Sequence, residues 1–129
     1  MAIARDPKRT WEWIAPEDLE AGPEATVWTL GTITARQDAW MIDTLIPDPS
    51  VSAEIPRGRF QLLVLQCGIR GVRNFKDADG AEVGLEWQES GAGPIASDDF
   101  ISRIPRDLRK ALTSAILEGN AWNATDRKN

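Results

Sequence analysis

The sequence predicts an α+β domain: about three short β-strands, in a hairpin or meander, packed against about four helices. Two observations lead there. Short runs in which apolar and polar residues alternate are interspersed with longer runs whose apolar residues recur every three or four positions. The chain has 129 residues, 42% hydrophobic and 27% charged, a size and composition that fit one domain able to bury its own core. No internal repeat or low-complexity block interrupts the pattern. We divide the chain into a flexible arm over residues 1–9, a domain over 10–119 and a flexible tail over 120–129.

The arm mixes Arg5, Asp6, Lys8 and Arg9 around Pro7. Thr10 to Ile14 then alternates, placing Trp11 and Trp13 on one face of a short strand that Pro16 ends. Residues 16–24 carry Glu17, Asp18, Glu20 and Glu24 around Gly22-Pro23 and read as a solvated acidic connection. A second strand is expected over Ala25 to Ile33, rich in β-branched residues, with Trp28 and Leu30 on one side. Thr34 and Gln37 have capping-box spacing, so a helix should run from Ala35 to Ile46 on Met41, Ile42, Leu45 and Ile46 until Pro47 stops it. The proline-rich stretch 46–56 reads as a loop.

Phe60, Leu63, Val64 and Cys67 fall at i, i+3, i+4 and i+7 and predict a helix ending near Gly68 to Gly71. Asp79-Gly80 then turns the chain into an alternating strand containing Val83, Leu85 and Trp87. After the glycine-rich connection 89–94, Ser97 is placed to cap a short helix with Asp98 and Asp99 in its first turn. Pro105 opens the last helix, on which Ile104, Leu108, Leu112 and Ile116 recur every four residues and Gly119 stands where a C-terminal cap belongs.

Charge and composition narrow the chemistry. Fifteen basic and twenty acidic residues give a net charge of −5, which disfavours non-specific attraction to nucleic acid. The chain has no histidine, so Ser-His and Cys-His nucleophile pairs cannot form. The single cysteine, Cys67, lies on an apolar helix face and reads as a small buried hydrophobe; it cannot form an internal disulfide, and nothing points to an oxidising compartment. No secretory leader or membrane-length apolar run is seen. Asp77, Asp79, Gly80 and Glu86 match the third, fifth, sixth and twelfth places of a calcium loop, but the first place is Phe75 and the eighth Glu82, so a plain turn is favoured. Asp98-Asp99 reads as helix-dipole complement rather than as an acid–base pair. Arg57, Arg59, Arg70 and Arg73 form one basic group and Arg103, Arg106, Arg109 and Lys110 another, both read as solvated helix faces. We expect no enzyme activity, no cofactor and no metal. Among six tryptophans, Trp11, Trp13, Trp28 and Trp122 are the candidate protein-binding residues.

Three stretches, residues 4–37 (ARDPKRTWEWIAPEDLEAGPEATVWTLGTITARQ), 67–87 (CGIRGVRNFKDADGAEVGLEW) and 101–120 (ISRIPRDLRKALTSAILEGN), resemble small morphogenesis proteins of tailed bacteriophages, with tail assembly chaperones the nearest group. The match is one of structural signals and carries no catalytic residues. The resemblance implies a cytoplasmic protein of the infected bacterial host that binds tape-measure and tail-tube proteins and holds the former soluble. The alternative is a minor structural component of the virion, a head–tail connector, tail completion or decoration protein, contacting neighbouring subunits and able to form a homo-oligomer. Neither reading involves a membrane or nucleic acid.

Overall fold

The first strand, β1 (Thr10–Trp13), pairs antiparallel with β2 (Val27–Gly31), which in turn pairs antiparallel with β3 (Ile69–Arg73). A separate hairpin joins β4 (Trp87–Ser90) to β5 (Gly93–Ala96). The α-helices among the described residues are α1 (Ala35–Leu45), α2 (Arg57–Gly68), α3 (Asp98–Ser102) and α4 (Arg106–Asp126). This computed structural model describes residues 2–48, 50 and 54–126, and of 122–126 the backbone alone. The α+β class expected from the sequence is the class observed.

Opposed pairs explain how the sheet meets the helices. Trp11 stands opposite Leu30 and Trp13 opposite Trp28, so these four side chains share one face. Trp28 and Leu30, on the central strand, are fully enclosed, whereas the two edge-strand tryptophans are half-buried. Trp28 packs with Phe75 and Phe100, ring centroids 5.1 to 6.4 Å apart. Val64, Leu65, Ile95, Ile104, Leu112 and Ile116 continue that core.

Local signals held in several places. Thr34 Oγ1 accepts from the Gln37 N–H and Gln37 Oε1 accepts from the Thr34 N–H, closing the capping box of α1. Ser97 caps α3 by accepting from the Phe100 N–H. Pro105 precedes α4 directly, its carbonyl taking the Arg109 N–H. The acidic connection contains no buried residue, although its backbone winds into 3-10 turns over Pro16–Glu24, interrupted at Gly22, where φ is 59°.

Other expectations are corrected. The stretch after Gly68 is strand β3, entered with no intervening loop: a Cβ on Gly68 would lie 2.6 Å from Ile116 Cγ2, so α2 ends packed tightly on α4 and the chain leaves as a strand. Residues 83–86 are not a strand; only Lys76 and Glu82 bridge, and pairing starts at Trp87. The glycine-rich connection instead contributes the end of β4, the two-residue turn Gly91-Ala92 and the start of β5, where Gly93 has φ 86°. On α1, Ile42 is 52% exposed because it lies about 100° round the helix from the buried Met41. Phe60 and Leu108 pack at the margin of the core rather than inside it.

Gly119 does not cap α4, whose backbone remains helical to Asp126. Its small size serves packing instead, since a Cβ there would approach Trp11 Cζ2 to 2.0 Å. Residue 120 is likewise helical rather than the start of a tail. Asn120 Oδ1 accepts from the Ile33 N–H (2.9 Å) and from Arg5 Nη2 (2.6 Å), while Nδ2 donates to the Ile116 carbonyl (2.8 Å).

Two stability predictions follow from this packing. Leu112 is fully buried, so Leu112→Ala should cost about 2–5 kcal/mol, read as a lowered urea midpoint with an unchanged slope. Asn120→Ala leaves the half-buried Ile33 N–H unpartnered and should cost roughly 1–3 kcal/mol by the same measurement.

Candidate protein-binding surfaces

The first candidate surface lies where the sheet ends. Among the described residues β1 pairs on one side only, leaving its outer row of backbone N–H and C=O groups open. Glu12 and Arg73 form a 2.9 Å ion pair on the solvent face of the sheet, and both are too exposed for it to add much stability. On the opposite face Trp11 and Trp13 lean toward α4, and with Ala115, Glu118 and Gly119 they line a shallow cleft of about 250 Å³. The Arg9 guanidinium sits 4.6 Å from the Trp11 ring and donates to the Gly119 carbonyl at 3.3 Å. One face of that indole is thereby held by a cation while its edge is fixed against the helix.

The expected tryptophan contacts separate accordingly. Trp11 and Trp13 come together at the surface. Trp28 does not join them: it is 0% exposed, because the central strand it occupies is covered by Phe75 and Phe100. Its Nε1 finds no acceptor among the described residues. Trp122 lies on the helical backbone of α4, and its side chain falls outside the described residues. Trp87, expected from the sequence on the same strand face as Val83 and Leu85, is 51% exposed, whereas Val83 is buried; the strand it belongs to begins only at residue 87. Trp40, not singled out by the sequence, packs half-buried against Gly91, where a Cβ would lie 2.8 Å from its Cδ1.

A second surface runs between the beginnings of α2 and α4. Two adjoining hollows of about 430 and 650 Å³ share Gly58, Gln61 and Arg106. Arg109 lies on one and Arg57 and Lys110 on the other, with the half-buried Phe60 and Leu62 supplying apolar surface. The two basic groups read from the sequence are thus redistributed. Arg57 joins Arg106, Arg109 and Lys110; Arg73 is paired with Glu12, and Arg103 is 4.0 Å from Asp77.

Arg70 turns inward. Thr29 pairs with Gly71 and Leu30 with Ile69, so Arg70 is the extra residue of a β-bulge, a distortion that re-aims a side chain. Its guanidinium donates to the carbonyls of Thr32 (2.7 Å) and Cys67 (3.1 Å), and burial lowers its pKa from the ordinary arginine value. Cys67, 1% exposed, has its thiol pushed up to about 11 by desolvation, only partly offset by Arg70. Asp77 behaves as a turn residue, its carboxylate accepting from the N–H groups of Asp79 and Ala81 at 2.9 Å. Asp98 accepts from Gln66 Nε2 at 2.8 Å, tying α3 to α2.

No family model matches the chain, and no curated protein or solved structure matches it either. Among the described residues no helix is long and apolar enough to cross a membrane.

The Cys67 environment sets a pH dependence. A raised folded pKa means that the unfolded chain loses the thiol proton first, so stability should fall as pH rises from about 9 to about 11, by roughly 2–3 kcal/mol. Urea midpoints across that range should show the loss, and Cys67→Ala should lack this component of it.

Proposed function

We propose that this chain is a non-enzymatic interaction protein of tailed-bacteriophage morphogenesis, a tail assembly chaperone that engages tape-measure and tail-tube proteins in the host cytoplasm. The observation that carries the reading is the pairing of Trp11 and Trp13 in a cleft beside an open strand edge. A partner segment laid along β1 would satisfy the strand's free backbone groups and at the same time cover both indoles. Indoles are rigid and amphipathic, able to bury large areas at small entropic cost, and they dominate many interfaces. The net charge of −5 would help keep a complex with an aggregation-prone partner in solution. The resemblance across residues 4–120 supplies the biological setting, and the inert, buried Cys67 agrees with binding rather than covalent chemistry.

Mass spectrometry of purified particles and of the lysate that yielded them tests the proposal through the tryptic peptide Asp77 to Arg103. Abundance in the lysate with absence from finished particles is the expected result. Recovery from particles at a fixed ratio to the capsid or tube protein would replace the chaperone reading with a minor structural component. At the residue level, Trp13→Ala should weaken capture of the tape-measure protein by roughly 30-fold, a hot-spot loss of about 2 kcal/mol. Trp87→Ala, away from the cleft, should leave capture unchanged.

A further inference from the structure

Charge is distributed over this molecule in a way that its own fold does not use. The first turn of α2 carries Arg57 and Arg59 with no acidic residue, and Pro56 before it offers no side-chain cap. The positive end of a helix dipole favours anions, so cations there are locally unfavourable. Arg106 and Lys110 near the start of α4 extend the same positive field across the groove. Among the described residues, no carboxylate lies within ion-pair distance of Arg57, Arg106, Arg109 or Lys110. Between these cations the groove exposes part of the half-buried Leu62 and Phe60.

The complementary surface occurs on the same chain. Pro16–Glu24 holds Glu17, Asp18, Glu20 and Glu24, none of its residues is buried, and Leu19 projects from the middle with 61% of its surface exposed. A leucine knob ringed by carboxylates matches a small apolar floor of Leu62 and Phe60 bordered by cations. No residue of 16–24 lines either hollow of its own chain, so the groove is open to the same segment of another copy.

We propose that the chain self-associates head to tail, the acidic 3-10 segment Pro16–Glu24 of one copy seating Leu19 in the basic groove between α2 and α4 of the next. Each copy uses two different patches, so the contact is heterologous and propagates into a ring or an open chain according to the rotation between neighbours. A nine-residue segment makes a small interface, which dictates association that depends on concentration and salt. The whole chain is acidic, with a net charge of −5, which favours a carboxylate-bearing peptide seated by local complementarity over nucleic acid. The proposal does not involve the Trp11–Trp13 cleft, and loss of either surface leaves the other intact.

Analytical ultracentrifugation of the full chain tests it. In about 0.1 M salt the weight-average mass should climb above the 14.3 kDa monomer with concentration, and in about 1 M salt, where screening shortens from about 10 to about 3 Å, it should return toward the monomer. Leu19→Ala, the pair Glu17→Lys with Glu20→Lys, and the pair Arg106→Glu with Lys110→Glu should each abolish the rise. All five positions are exposed or at a surface margin, and circular dichroism melts should confirm folding. A chain carrying both charge-reversed pairs should associate again, because complementarity is restored with the signs exchanged. A protein monomeric at every concentration in low salt would overturn the proposal. So would self-association that persists unchanged in the Leu19→Ala and charge-reversed chains, or a doubly reversed chain that stays monomeric. Binding of a nucleic-acid oligomer at the groove without self-association would overturn it in favour of another occupant.

Discussion

The close approach of α2 to α4 at Gly68 and Ile116 governs the rest of the molecule. With no side chain at residue 68, the two helices meet with Ile116 lying over the α2 backbone, and every residue of α2 from Leu63 to Gly68 is buried. α2 also touches α1, α3, β2, β3 and β5, so fixing it against α4 fixes both sheets. The direct passage from Gly68 into β3 then leaves no loop to absorb a change in helix position. The bulge at Arg70 accommodates the junction. Its guanidinium satisfies carbonyls where α2 meets β3 and β2 meets α1 that would otherwise be buried without donors.

α4 carries this order outward to the Trp11–Trp13 cleft. Trp11 is set against Gly119, and the next residue, Asn120, bonds to the Ile33 backbone after β2 and to Arg5 of the N-terminal arm. Arg9 adds a contact from the arm to both Trp11 and α4. The cleft is therefore built on rigid elements that converge from three parts of the chain. Such preorganisation matters for a binding surface, because side chains already ordered lose less entropy when a partner arrives.

Features governed by neighbours in sequence were legible: the Thr34–Gln37 box, the Ser97 cap, the Asp79-Gly80 turn and the four-residue repeat through Leu112 all match the structure. Features governed by distant neighbours were not. Gly119 has the position of a cap, and only Trp11, more than a hundred residues earlier, reveals why it is glycine. β3 carries two arginines and a glycine among its five residues, too few apolar positions for an alternation to show, and its pairing is dictated by where α2 ends. Trp28 was assigned to a strand face correctly, but sequence does not distinguish the middle strand of a sheet from an edge. Half of the cleft, Trp11 and Trp13, was visible as an alternating pair; the helix face that completes it was not. The basic groove is not legible in the sequence because Arg57 and Arg106 are far apart along the chain and share a surface only through the packing of α2 on α4.

A sequence selected for stability alone would place acidic residues where α2 begins and would bury or remove Leu19. This one does neither: arginines occupy the first turn of α2, and an exposed leucine stands among carboxylates in a segment that contributes nothing to the core. The arginines at the start of α2 cost a few tenths of a kcal/mol to about 1 kcal/mol, an amount a small domain can carry, and the exposed leucine forgoes burial that the fold could have used. Natural sequences are locally consistent except where function demands otherwise. Two departures of opposite charge, each containing an aliphatic component, are also more informative together than separately. A single basic groove would be compatible with many anions, and a single acidic turn with solvent alone. Their complementarity makes the unused charge of each recoverable when the two surfaces meet, and within one copy no residue of 16–24 lines either hollow of the groove.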